Sequence, residues 1–167
     1  MSVSVRRRVG AAALLTAALS AAALPSQAAA SDPLVVPKGY ACDFTLQVDS
    51  TPSGHAVKRE FTDANGNTVR TLRAGKGDAL TFTNIETGAT LALRSNGSVA
   101  RTTTNKDGSS TVVSTGHNVL IFFPSDVPPG PRTTLYIGRV TYTTDSDGVF
   151  TFVSSSGQTR DICEELG

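Results

Sequence analysis

The chain carries only two histidines, His55 and His117. A hydrolytic site built on one of them would need a serine and a carboxylate within hydrogen-bond reach. Ser114 and Asp126, for instance, flank His117. No serine lies in the Gly-x-Ser-x-Gly turn that exposes a nucleophile at the top of a sheet. Each histidine therefore reads as a part-exposed residue at a strand start. No catalytic residue is assigned, and a non-catalytic protein is the first reading over an enzyme.

Metal and cofactor chemistry is equally thin. Asp63-Ala64-Asn65-Gly66-Asn67 and Asp145-Ser146-Asp147-Gly148 carry the oxygen ligands of a calcium loop in miniature. A full loop needs more ligands and a bidentate Glu at its twelfth position. Asp, Asn and Gly are also what tight turns require, so both stretches read as turns and no metal ligand is assigned. There is no Gly-x-Gly-x-x-Gly, no Walker loop and no Cys-x-x-Cys, and no cofactor is expected. Asn96-Gly97-Ser98 matches a glycosylation sequon within a turn and receives no role. Arg139 interrupts the apolar run Leu135–Tyr142. Pointing inward it would need a carboxylate partner and would mark a ligand site; pointing outward it is a solvated side chain, the simpler reading.

The two cysteines, Cys42 and Cys163, lie near the two ends of the chain beyond residue 30. An even count in an exported chain implies one disulfide, the alternative being two unpaired buried thiols. Export is the expectation for residues 1–30. Arg6, Arg7 and Arg8 precede an Ala-rich apolar run from Ala11 to Leu24, and Ala28-Ala29-Ala30 offers a cleavage site. The run is short for a membrane span. Cleavage near Ala30 would release a secreted domain, 31–167. It would remove three arginines and no acid, taking the formal charge from +1 to −2. So weak a charge argues against nucleic acid or an anionic membrane as the main partner.

Charged residues make up 17% and apolar residues 39% of the chain, a globular composition of single-domain length. Beyond the signal, short alternating or apolar stretches are separated by turn residues. Leu46 and Val48, Leu80 and Phe82, and Leu91 and Leu93 each share a face at period two. Turns fall at Asp63–Asn67, Gly75–Asp78, Glu86–Gly88, Asn96-Gly97, Asp107-Gly108 and Asp147-Gly148. Residues 154–157 read as a polar loop, 99–104 as a polar strand at an edge or facing water, and Glu164-Glu165 as a closing turn of helix. No stretch sustains a helical period, which excludes βαβ units. About ten short strands joined by tight turns predict an all-β antiparallel meander. A closed or partly closed barrel is favoured over a β-sandwich, because closure removes edges. A Cys42–Cys163 bond would then join the first and last strands.

The organising stretch is His117–Thr144. Val119–Phe123 is apolar at every position, and Leu135–Tyr142 is apolar on both faces. Pro124, Pro128, Pro129 and Pro131 stiffen the loop between them. One face of each strand must fill the core. The other must be covered by the lead-in Leu34–Val36, by a second copy in a homodimer, or by an outside partner. The candidate interaction surface is therefore Val119, Ile121, Phe123, Pro128, Pro129 and Tyr136.

The Ala-rich leader, single β domain and cysteine near each end resemble the layout of small secreted actinobacterial proteins of unknown function. That resemblance implies export and a compact β fold, and it transfers no activity or site residue. Two functions stay open: a secreted, disulfide-closed β module that binds a protein partner, or a carrier or enzyme holding a small apolar ligand in the barrel interior. An open interior with converging polar side chains separates the second from the first.

Overall fold

The computed structural model describes residues 32–52 and 55–167. The expected signal segment, 1–30, lies outside them. Ten strands run in chain order: β1 Leu34–Val36, β2 Leu46–Thr51, β3 Ala56–Thr62, β4 Thr68–Lys76, β5 Ala79–Asn84, β6 Thr90–Leu93, β7 Gly97–Thr104, β8 Ser110–Phe122, β9 Arg132–Thr144 and β10 Phe150–Asp161. A single turn of helix, α1 (Ile162–Leu166), ends the chain. Asp161 caps it by accepting from the amides of Cys163 and Glu164.

The strands form two antiparallel sheets rather than one closed meander. A four-stranded sheet has the order β1-β2-β5-β6, and a six-stranded sheet has the order β10-β9-β8-β7-β4-β3. The favoured barrel closure is not made, because β10 and β3 lie at opposite margins of the larger sheet. The cause is one long-range pairing. β2 takes β5 as its neighbour, with Leu46 opposite Asn84 and Val48 opposite Phe82. The β5–β6 hairpin therefore leaves the meander, and β4 pairs with β7 instead. Asn96-Gly97 consequently carries a crossing between sheets, not the expected tight hairpin. β7, expected at an edge or facing water, lies between β4 and β8 and leaves Val99 and Arg101 exposed to solvent.

Three hairpins of the larger sheet share one turn design. Gly66, Gly108 and Gly148 each have φ of 86°. Each is the last residue of a three-residue loop closed by backbone bonds, as between Asp63 and Asn67 at 2.9 Å. This is the type I turn plus left-handed glycine of longer hairpin loops. The carboxylates of Asp63, Asp107 and Asp145 accept the turns' own amides. The Asn67 amide above all holds the Asp63 carboxyl below its ordinary pKa, and the Ser109 hydroxyl, followed by its amide, does the same for Asp107.

Sequence spacing suggests separate strands at 109–115 and 119–123, but β8 runs through both as 13 residues. Likewise β10 runs through the expected polar loop, with a bulge between Phe152 and Ser154. Gly116, Gly138 and Gly157 interrupt β8, β9 and β10 at one register line, which continues through Ser98 and Gly75 to Ala56. All four of these glycines have positive φ, from 96° at Gly116 to 153° at Gly75. A Cβ at Gly116 would sit 2.2 Å from the Gly97 carbonyl oxygen. The sheet folds along this line. Phe150 lies opposite Thr144, and Thr144 opposite Ser110, at the far end of β8 from Phe122. A straight strand of that length would separate them by roughly 40 Å, yet the Phe122 and Phe150 rings lie 5.2 Å apart, edge to face.

The fold explains both apolar faces of the organising stretch. Val119, Ile121, Leu135 and Ile137 pack against the small sheet, joining Val36, Leu46, Phe82, Ile162 and Leu166 in one core. Phe122, Tyr136 and Val140 face the other way, with Leu120, Phe150 and Phe152 folded over them. The lead-in does not cover that face; Leu34–Val36 pairs with β2 at the margin of the small sheet. Cys42 and Cys163 are joined by a disulfide. It connects the β1–β2 loop to α1, and so ties one sheet to the other, rather than joining two strands of a barrel. Nearby, Thr133 donates to the Ala41 carbonyl at 3.0 Å, and Asn84 donates to the Leu166 carbonyl at 3.2 Å.

Candidate functional site

The two sheets splay apart at one end and leave a cleft of about 520 Å³. Leu80 from β5, Leu93 from β6, Val119 from β8, and Leu135 and Ile137 from β9 give it apolar walls. Period-two alternation places these side chains there, since Val119 and Leu135 sit opposite each other and share a face. Polar groups ring the mouth: Asp78, Arg94, Asn96, His117 and Arg160. Two chain crossings between the sheets form that mouth. They are tied together where Ser95 Oγ donates to the Gly77 carbonyl at 2.5 Å and the Gly77 amide donates to the Asn96 carbonyl at 3.1 Å.

The charged groups at the mouth differ in freedom. Arg160 is held by Glu165 through Nε, 2.9 Å from Oε1, and Nη2, 2.5 Å from Oε2. The pair raises the arginine pKa and lowers that of the carboxyl. Asp78 accepts from Ser50 Oγ at 2.7 Å. Arg94 has no ion pair among the described residues, and His117 is exposed. Apolar walls with a few fixed polar groups at the entrance suit a small amphipathic molecule. No group of three or more metal-ligating side chains occurs among the described residues.

The serine, histidine and aspartate weighed from sequence do not converge. Ser114 Oγ donates to Asn118 Oδ1 at 2.6 Å, on the face of β8 opposite His117. Asp126 is buried and accepts the amides of Phe123, at 2.7 Å, and Phe150, at 3.2 Å. Its loop is further fixed by the Val127 amide, 2.8 Å from the Phe150 carbonyl, and the Phe152 amide, 2.7 Å from the Val127 carbonyl. The loop thus clasps the folded-back half of the sheet to the end of β8. Arg132 lies over the Phe122 ring at 4.4 Å on the same side.

The residues of the candidate interaction surface separate into three places. Val119 and Ile121 belong to the inter-sheet core, and Val119 lines the cleft. Tyr136 is buried inside the fold of the larger sheet, where burial raises its phenol pKa. Phe123, 40% exposed, remains at the surface with Pro128 and Pro129. Arg139 is exposed and His55 lies just before β3. Of the cleft residues, sequence reasoning placed Leu80, Leu93, Val119, Leu135 and Ile137 on strand faces, His117 at a strand start and Asn96 in a turn. Arg94, Asp78 and Arg160 carried no signal, because only the β2–β5 pairing brings their segments together.

Fold and cleft together define an all-β domain of two antiparallel sheets, the larger folded on itself and stapled to the smaller by one disulfide. No protein-family model, no curated protein and no solved structure matches the chain.

Proposed function

We propose that the protein is an exported binding module that holds a small amphipathic ligand in the cleft between its sheets. The observation that carries this reading is the cleft itself: about 520 Å³, apolar inside, with Arg94 and His117 available at its mouth. Ligand sites commonly have volumes of ~300–1,000 Å³. An apolar tail would contact Leu80, Leu93, Val119, Leu135 and Ile137, and an anionic or hydrogen-bonding head would meet Arg94. The module catalyses nothing in this reading, since Ser114 and Asp126 lie away from His117 and are engaged with Asn118 and with the Phe123 and Phe150 amides. A disulfide is compatible with export, and the leader-like composition of residues 1–30 supports it.

Titration with a fluorescent acyl carboxylate, dansyl-undecanoate, tests the cleft. Saturable one-to-one binding is expected, and Leu93→Trp should weaken it at least tenfold by filling the apolar space. Absence of saturable binding, or equal binding by Leu93→Trp, would refute the reading. Intact mass of the protein from culture medium tests export; cleavage within two residues of Ala30 is expected, and a full-length, cell-bound product would contradict it.

A further inference from the structure

The folded sheet has a second face that the cleft does not use. Beyond the glycine line, the side chains opposite Phe150, Phe152 and Tyr142 point outward. Cross-strand register sorts them into rows, because directly opposed residues share a face. One row is Val57, Ala74, Val99, Thr115 and Arg139. The next holds Arg59, Leu72, Arg101, Val113 and Thr141, and the third Phe61, Arg70, Thr103, Thr111, Thr143 and Thr151. Four arginines and no carboxylate stand in these rows. All four are exposed, and none forms an ion pair among the described residues. The contrast with the inner face is direct: there Lys58 is paired with Glu60 at 2.6 Å.

Charge is therefore segregated on a domain whose formal charge beyond residue 30 is −2, from twelve Lys and Arg against fourteen Asp and Glu. Strands lie about 4.8 Å apart and alternate residues about 6.8 Å apart along each strand. On that grid the four guanidinium groups spread over roughly 20 Å, too wide for one small anion and suited to a polymer with repeating charges. Beside them Thr103, Thr111, Thr143 and Thr151 align one hydroxyl per strand across four neighbouring strands. Guanidinium groups bind carboxylate or phosphate bidentately, and a hydroxyl row can exchange hydrogen bonds with sugar hydroxyls.

We propose that this outer face binds a linear anionic polysaccharide. A single-stranded nucleic acid would want exposed aromatic rings on which bases stack. The only aromatic side chain in these rows, Phe61, is already covered by Arg70 at 4.7 Å and Arg59 at 5.9 Å from the ring centroid. Those contacts also restrain two of the arginines, so less side-chain entropy is lost on binding.

Polygalacturonate is the probe, with poly(dT) and neutral dextran for comparison, each titrated in 25 mM and 150 mM NaCl. Binding to polygalacturonate is expected at 25 mM, weakened at least tenfold at 150 mM, with poly(dT) weaker and dextran silent. The variant R59Q/R70Q/R101Q/R139Q should lose at least tenfold in affinity. K38Q/K58Q/R73Q/K106Q removes the same charge elsewhere and should stay within threefold of the parent. R101Q/R139Q, which leaves the Phe61 contacts intact, should lose part of the affinity and flatten the salt dependence by about one unit of slope per arginine. Leu93→Trp should leave this binding unchanged, which separates it from the cleft. No binding at 25 mM salt, an equal loss in the two four-site variants, or tighter binding of poly(dT) would overturn the proposal.

Discussion

Gly138 and Gly157 face each other across the β9–β10 ladder so closely that neither has room for a side chain. A Cβ on Gly138 would lie 2.2 Å from the Ser156 carbonyl oxygen, and one on Gly157 would lie 2.2 Å from that of Ile137. Both have positive φ, 140° and 108°. Gly138→Ala should therefore combine backbone strain with a clash against main chain, costing roughly 2–5 kcal/mol. Gly66→Ala is the control: its φ is also positive, but nothing lies within 4 Å of the added carbon, so about 1–2 kcal/mol is expected. Urea unfolding of the two variants distinguishes a spatial requirement from a conformational one. Equal losses would show that the register line has no steric role.

Asp126 is 6% exposed, and its two carboxylate oxygens serve amides at both ends of the clasp, Phe123 and Phe150. Asp126→Ala leaves both donors unpaired and should cost roughly 2–4 kcal/mol. Hydrogen exchange gives the sharper readout. The Phe150 and Phe152 amides should exchange faster together, while those of β2 and β5 keep their protection. Uniform acceleration everywhere would mean that the loop has no local role.

The disulfide spans 121 residues of sequence. Its loss should cost roughly 4–5 kcal/mol in the chain-entropy account, and less where the reduced chain retains structure. Cys42→Ser/Cys163→Ser, compared with the parent by thermal melting, measures it. Thiol labelling of the denatured, unreduced protein should find no free thiol.

Glu86 accepts the Thr45 amide through both oxygens, at 2.9 and 3.0 Å. That bond holds its carboxyl below the ordinary value of 4.5. A lowered folded-state pKa means the unfolded chain binds the proton more tightly. The contribution is complete above pH 4.5 and disappears as pH falls through the lower folded value. Stability measured between pH 6 and pH 3 should decline more shallowly in Glu86→Gln than in the parent. Identical slopes would place the acid sensitivity in other carboxylates.

The all-β class, the turns at Asp63–Asn67, Asp107-Gly108 and Asp147-Gly148, and the Cys42–Cys163 pair were legible because each is a local or compositional signal. The β2–β5 pairing was not, since nothing in Leu46–Thr51 distinguishes β5 from any other alternating strand as its neighbour. Without it, the crossings at Gly77 and Asn96 look like hairpins, and the cleft between the sheets has no trace in sequence. The two-sided apolar character of Val119–Phe123 and Leu135–Tyr142 was visible, but its cause was not. Gly116, Gly138 and Gly157 interrupt their strands singly, and only the ladder register aligns them. Glycine inside a strand pattern does signal a bend or close backbone approach. Here it was readable as three separate irregularities rather than one line.

The larger sheet ends in β3 and β10, and each margin has backbone groups that another chain could template upon. β3 meets that hazard with Lys58, Arg59 and Glu60 in succession, all exposed, so an incoming strand would have to strip water from three charges. β10 meets it differently. Its bulge at Phe152/Ser154 and the turn of the backbone at Gly157 break the straight ladder into short pieces. The same glycine that folds the sheet inward thereby makes its margin a poor template for a further strand, so this edge is guarded without closing the sheet into a ring.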